Sequence, residues 1–408
     1  MALNVQEVRQ QFSIFSGADA PLYFDSAATA QTPDVVFSAM DEYYRTYCAN
    51  VHRGMHSLTE KATVQYEDAR KTVKQWINAQ SSREIVFTKN CTEAINLVAR
   101  AWGDVNLHTG DAVAISILEH HSNVVPWQQL AERSGAEVRW IEMDAAGQLR
   151  MESLDEILQD KKVKLVSITG QSNVLGTRPD INVITQKAHD AGALVLVDAA
   201  QLISHHAVDV QDLDCDFLAF SGHKLYGPTG IGVLYGKQKL LEAMPAFLGG
   251  GMMIHDVKKD GFSSAEPPQK FEAGTPPIAE AIGLATAIQW MRQWKWEDVE
   301  EHEQALLQEA RTMLQQIDGL TIVGTSGKGQ PSGCVSFVVD GAHPHDLTDI
   351  LGQKNIALRA GHHCTQPLHE TWGVPATTRL SVSIYNTVEE LETLGIELQK
   401  ALNVLRTE

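Results

Sequence analysis

Ala193-Leu-Val-Leu-Val197 is apolar at every position and is closed at once by Asp198-Ala-Ala-Gln201. A strand with one wet face alternates apolar and polar residues. One that is apolar on successive positions is buried on both faces, as in a parallel sheet covered by helices. Similar runs recur over the first two thirds of the chain: Glu84-Ile-Val-Phe87, Ala112-Val-Ala-Ile-Ser-Ile117, Val163-Lys-Leu-Val-Ser-Ile168, Phe217-Leu-Ala-Phe220 and Gly232-Val-Leu-Tyr235. Between them lie stretches of helical periodicity, among them 92–102 and 181–191, the second followed by Gly192, a residue suited to a helix C-terminus. Strands alternating with helices imply an α/β domain on a mainly parallel sheet.

Beyond about residue 283 the pattern changes. A long helical stretch runs through Trp290 towards Ile317. Sparser strands follow at 321–323, 334–339, 356–359 and 379–384, then a helix opened by the capping box Thr387-Val-Glu-Glu390. The expected division is an N-terminal segment 1–20 packing on the small domain, a large domain 21–282 and a smaller α+β domain 283–408. The Gly- and Pro-rich stretch 249–277 is expected as loop near the junction, and neither an internal repeat nor a low-complexity tract is visible.

Composition narrows the function. The formal charge of -18 repels phosphate backbones, which argues against a nucleic-acid partner. No stretch offers the ~18 consecutive apolar residues of a membrane span. The first residues, Met1-Ala-Leu-Asn-Val-Gln-Glu-Val-Arg9, lack the basic start and apolar core of a signal peptide. The odd number of scattered cysteines (Cys48, Cys91, Cys215, Cys334, Cys364) contains no Cys-x-x-Cys pair, so a reducing, cytoplasmic setting is expected.

Ser221-Gly-His-Lys-Leu-Tyr-Gly-Pro-Thr-Gly230 lies between two apolar strands. Lys224 on such a turn is placed to form an imine while its polar neighbours hold an anion; an incidental surface lysine is the plainer reading. Asp198 ends a buried strand, where ligands bind in open α/β sheets. Its carboxylate suits a protonated ring nitrogen of a cofactor, or equally a helix N-cap. Thr92 opens the helix after the strand at 84–87, and free N–H groups at a helix start attract anions. In Glu119-His-His-Ser-Asn123 a histidine beyond a strand end can stack on an aromatic ring. A metal site is the rival there, but no spaced partner ligand accompanies the pair. In Arg359-Ala-Gly-His-His-Cys-Thr-Gln-Pro-Leu368 the loop cysteine Cys364 has basic neighbours that favour a thiolate, against the alternative of a buried structural thiol. The other four cysteines sit in ordinary helix or strand patterns and read as structural. Arg379 opens an apolar strand and can grip a carboxylate bidentately, or form a surface ion pair.

Taken together these segments resemble the fold-type I PLP-dependent enzymes of the class-V aminotransferase family, and within them the group II cysteine desulfurases of the SufS/CsdA branch. The match runs nearly end to end. It also includes Tyr23-Phe-Asp-Ser-Ala-Ala28, Asn50-Val-His-Arg-Gly54, the continuation Val124-Val-Pro-Trp127 and Phe271-Glu-Ala-Gly-Thr-Pro276. The resemblance implies an aspartate aminotransferase-like fold, a seven-stranded sheet in the large domain, and pyridoxal 5'-phosphate as cofactor. It implies that Lys224 carries the cofactor and shuttles protons, Asp198 pairs with the pyridine nitrogen, Gln201 contacts the ring hydroxyl and His121 stacks on the ring. Thr92, Ser221 and His223 would bind the phosphate, joined by Thr275 from the neighbouring subunit of a homodimer. Arg379 and Asn173 would hold the substrate carboxylate, with Arg359 close by. Cys364 would take sulfur from L-cysteine as a persulfide, releasing L-alanine, for a SufE/CsdE-like acceptor protein serving iron-sulfur cluster or other sulfur-compound synthesis. Selenocysteine lyase activity on the same site and a non-catalytic PLP-binding scaffold are the alternatives. Two positions depart from the family pattern. Asn90-Cys91-Thr92 replaces a more familiar Gly-Thr-Thr or Gly-Ala-Thr, where Asn is expected to supply left-handed freedom and one hydroxyl contact to be lost. Thr365 replaces a common Ala and is expected only to tune.

Overall fold

The computed structural model of the chain describes residues 3–324 and 332–406. Seven strands form the main sheet, in the order Ile85–Thr88, Gly232–Gly236, Phe217–Ser221, Leu194–Asp198, Val163–Thr169, Ala112–Ser116 and Glu137–Ile141. Neighbours are parallel except at Gly232–Gly236, which runs antiparallel to both of its partners. Val195 and Val197 are buried in the cluster on one face and Leu196 in the cluster on the other. Each buried side chain contributes about 1.5–3 kcal/mol, so neither face tolerates water. The α/β, mainly parallel architecture is the expected one.

Three local expectations need correction. Glu137–Ile141 is an edge strand with Glu137 exposed and Arg139 paired to Asp160, so it carries no apolar run to announce it. Ile254–Lys258 and Gly261–Ser264 form an antiparallel hairpin inside the stretch expected as loop; its residues are mostly exposed and leave no alternation to read. The long helical stretch is two helices, Ile278–Met291 and Trp296–Gln315. The first runs across the expected boundary at 282/283 and is buried almost all round in the larger core. The second contributes Val299 to that core and Leu306, Leu307, Ala310 and Leu314 to the smaller one, so the two cores part along this helix.

The smaller core lies between helices and a four-stranded antiparallel sheet ordered Leu320–Ile322, Cys334–Val339, Thr377–Ser381, Arg359–Gly361. The N-terminal segment lies at the junction of the two cores. Phe12 stacks edge-on against Trp290 and Tyr385, while Arg9 pairs with Glu390 on the last helix. That helix, Val388–Leu405, opens with the expected capping box of Thr387 and Glu390. No helix among the described residues is long and apolar enough to cross a membrane.

Candidate active site

The carboxyl ends of the strands Val163–Thr169, Leu194–Asp198 and Phe217–Ser221 meet the start of the helix Cys91–Leu97, and the strand Arg359–Gly361 of the smaller core with the loop after it completes the wall. They enclose a cavity of about 220 Å³. Its wall includes Lys224, Asp198, Gln201, Thr92, Ser221 and His223 on one side, and Asn173, Arg359, Cys364 and Arg379 on the other. Ten of the residues singled out from sequence thus share one cavity.

On the sheet side, Lys224 ends a short turn, Gly222–Lys224, directly after a buried strand. Burial lowers its proton affinity, Asp198 opposes that, and Arg379 adds to the lowering. Asp198 is buried, which raises its carboxyl, while the Ala200 N–H, Lys224 and Cys91 act the other way. Its Oδ1 accepts from Ala200 N–H at 2.9 Å and from the Cys91 thiol at 3.3 Å. Gln201 donates through Nε2 to Ala27 O at 2.8 Å, which keeps Oε1 free to accept.

The turn before Thr92 differs from expectation. Asn90 is extended (φ -173°, ψ 176°) and uses its side chain as the N-cap, accepting from Glu93 N–H, so no left-handed freedom is needed. What the turn requires is Gly232 beneath it, where a Cβ would stand 2.4 Å from Asn90 Cα. Cys91, read from sequence as structural, lines the cavity instead; its N–H donates to Ser221 Oγ at 2.9 Å and its thiol to Asp198. Burial and Asp198 together push that thiol well up, which keeps it protonated and a donor.

The histidine pair is corrected as well. His120, not His121, lines the cavity. The short turn His121–Asn123 begins after an extended His120, so adjacent rings diverge. Glu119 anchors this segment by accepting from the Ser116 hydroxyl, the Asn123 amide and the Thr169 N–H. Burial, then Lys224, pushes His120 down to about 3, so its ring is neutral. His121 faces the cysteine loop, where its N–H donates to Cys364 O at 2.7 Å and its Nε2 accepts from Gln366 N–H at 3.0 Å.

That loop spans only 362–365, between the strand Arg359–Gly361 and the helix Gln366–Trp372. His363 (φ +50°) and Cys364 (φ +58°) are both left-handed, a conformation that costs a non-glycine residue about 1–3 kcal/mol. The loop is held there by His121 on Cys364 O and by Asn173 Nδ2 on His363 O at 2.8 Å. The result is an exposed Cys364 thiol at the wall of the cavity. Arg379, 2% exposed, donates to Asn173 O at 3.0 Å and to Asp25 at 2.9 Å, while its buried Nε has no partner among the described residues. Thr275 lies elsewhere, in a second cavity with Tyr66 and Phe87, where it accepts from Asn50 at 3.4 Å.

The profile of the Aminotransferase class-V family matches residues 22–394. A probable cysteine desulfurase of Vibrio cholerae is 46% identical, over 99% of this chain and 100% of its own. Among solved structures, the cysteine desulfurase CsdA of Escherichia coli superposes with a TM-score of 0.92 at 40% identity, covering 99% of this chain and 100% of that one. A cysteine desulfurase of Thermococcus onnurineus NA1 superposes with a TM-score of 0.94 at 40% identity, covering 99% of each chain.

Proposed function

The chain belongs to the class-V aminotransferase family and within it to the cysteine desulfurases, and from that premise we propose how its residues divide the work on L-cysteine. The cavity's donor set fits pyridoxal 5'-phosphate. The Lys224 amine and the buried Asp198 carboxylate line it together with the hydroxyls of Thr92 and Ser221 and the imidazole of His223. Asp198 Oδ2 makes no hydrogen bond among the described residues, which leaves it for a protonated ring nitrogen. The flat partner for the ring is His120 rather than His121, since only His120 reaches the cavity. Bound there, the cofactor supplies an electron sink for charge developing at the substrate Cα.

The observation that carries the reading is that Lys224 and Cys364 line one cavity from opposite cores of the fold. Arg379 and Asn173 orient the substrate through its carboxylate, with Arg359 beside them. Lys224 moves the proton at Cα. The Cys364 thiolate forms a new S–S bond to the substrate sulfur as the Cβ–S bond breaks, and a proton returns to the carbon that lost sulfur. Cysteine and one protein thiol become alanine and one protein persulfide, so the atoms balance. The short loop 362–365, tied down by His121 and Asn173, gives the persulfide little travel. A SufE/CsdE-like protein whose own cysteine enters the cavity is therefore the acceptor we assign. Cofactor-loaded protein should release alanine from L-cysteine, faster with such an acceptor than with free thiols alone. Absence of alanine overturns the function, and equal rates overturn the acceptor.

Thr275 is assigned to the phosphate site of a second copy in a twofold dimer, because it does not line the Lys224 cavity of its own chain. Lys224→Ala and Thr275→Ala subunits, each weak alone, should on exchange form mixed dimers with one intact site. Recovery of up to about a quarter of wild-type activity is expected from random pairing. A mixture no more active than the mean of its parents removes Thr275 from the partner's site.

A further inference from the structure

We infer that Asp25 is a positioning residue for substrate, holding Arg379 and Arg359 in the geometry that receives a carboxylate. This role presupposes that those arginines hold the substrate carboxylate, as proposed above. Asp25 Oδ1 accepts from Arg379 Nη2 at 2.9 Å and its Oδ2 from Arg359 Nη1 at 3.4 Å. One carboxylate thus spans two guanidinium groups from neighbouring strands, and both arginines line the cavity. Arg379 is buried and Arg359 half-exposed, and two like charges side by side repel. With Asp25 between them the triad carries one net positive charge, which matches the single carboxylate of an amino acid.

Asp25 is placed by backbone rather than by a flexible side chain. Phe24 is buried in the smaller core, and Ser381 N–H donates to Phe24 O at 2.8 Å. Asp25 then bridges in parallel to Ser381, and Ala27 N–H donates to Ser381 Oγ at 3.0 Å. Segment 24–28 is therefore stitched to the strand Thr377–Ser381, which carries Arg379, and the same segment turns Ala27 and Ala28 into the cavity wall. Arg379 Nη1 is fixed by Asn173 O and Nη2 by Asp25, so the guanidinium plane is set before substrate arrives. Its Nε is left without an acceptor among the described residues. A buried guanidinium with an unanswered N–H is incompletely satisfied, and the residue lines the cavity that a carboxylate would enter.

The alternative role for Asp25 is purely structural, tying the N-terminal segment to the smaller core. Steady-state kinetics on cofactor-loaded enzyme separate the two, using L-alanine and ethylamine as inhibitors; ethylamine is alanine without its carboxylate. Asp25→Asn should raise KM for L-cysteine and the inhibition constant of L-alanine about tenfold, the usual size for losing a charge-assisted hydrogen bond. It should move kcat by less than about threefold and leave ethylamine inhibition where it was. Asp25→Glu should recover most of the loss. Equal weakening of alanine and ethylamine, or no change in either, overturns the positioning role. If Arg379→Ala leaves the alanine constant unchanged, the carboxylate assignment beneath it fails instead, whatever Asp25→Asn does.

Discussion

Cys364→Ala should keep its cofactor and stop making alanine from L-cysteine, with a loss on the order of 10³-fold or more, as expected for removal of a nucleophile. The thiol sits on a loop of the smaller core held through main-chain oxygens, Cys364 O by the His121 N–H and His363 O by the Asn173 side-chain amide, and both contacts survive the substitution. The side of the cavity formed by Lys224, Asp198 and Ser221 belongs to the main sheet and its turns, so cofactor loading should be unchanged. Alanine accepts a positive φ less readily than glycine but no worse than cysteine does at +58°. Fold and cofactor content, followed by thermal melting and visible absorbance, should therefore match wild type. The measurement is alanine release together with the mass of the Cys364 peptide, which in wild type should gain one sulfur atom. Normal alanine turnover in Cys364→Ala would place the nucleophile elsewhere; Cys91 is a poor substitute, since its buried thiol is pushed well up and donates to Asp198.

What could be read from sequence follows from how local each signal is. The strand ending in Asp198 was legible because burial on both faces writes itself into consecutive residues, Val195 to one core and Leu196 to the other. The edge strand Glu137–Ile141 and the exposed hairpin 254–264 were not, because neither buries a full face. Site residues at strand ends or on a glycine-rich turn, such as Asp198, Ser221 and Lys224, could be placed for the same local reason. The choice between His120 and His121 could not. It depends on where one short turn begins, and a shift of one residue exchanges their roles. Asp25 was visible only as part of a motif, since its partner Arg379 lies 354 residues away and the contact exists only after the two segments pair. Cys91 was misread for a related reason: a buried helix start and a cavity wall look alike in sequence, and the carboxylate that engages it comes from another strand.

Lys224→Ala should lose covalent cofactor attachment and roughly 10²–10⁴-fold or more of the activity, the range for removing a residue that moves protons. Burial lowers the proton affinity of two lysines, Lys224 and Lys270, and their hydrogen bonds separate them. Lys270 is buried, but its Nζ donates to three carbonyls, of Leu241, Glu242 and Met244. Those three carbonyls take up all the donors of the Lys270 nitrogen and hold it away from the cavity, although burial lowers its proton affinity too. Lys224 makes no such bonds among the described residues, faces the cavity, and has its proton affinity lowered first by burial. A smaller fraction of it is therefore protonated at a given pH than of an exposed lysine, and the free amine is the reactive form. Borohydride treatment of wild type with pyridoxal phosphate should fix the cofactor on the peptide containing Lys224, and Lys224→Ala should show no fixed cofactor at all. Because Asp198, Gln201, Thr92, Ser221 and His223 remain, the variant should still bind pyridoxal phosphate reversibly, and a small added amine should restore part of the turnover. Label on the Lys270 peptide, or undiminished fixing in Lys224→Ala, would show that the cavity's amine is not the one that carries the cofactor.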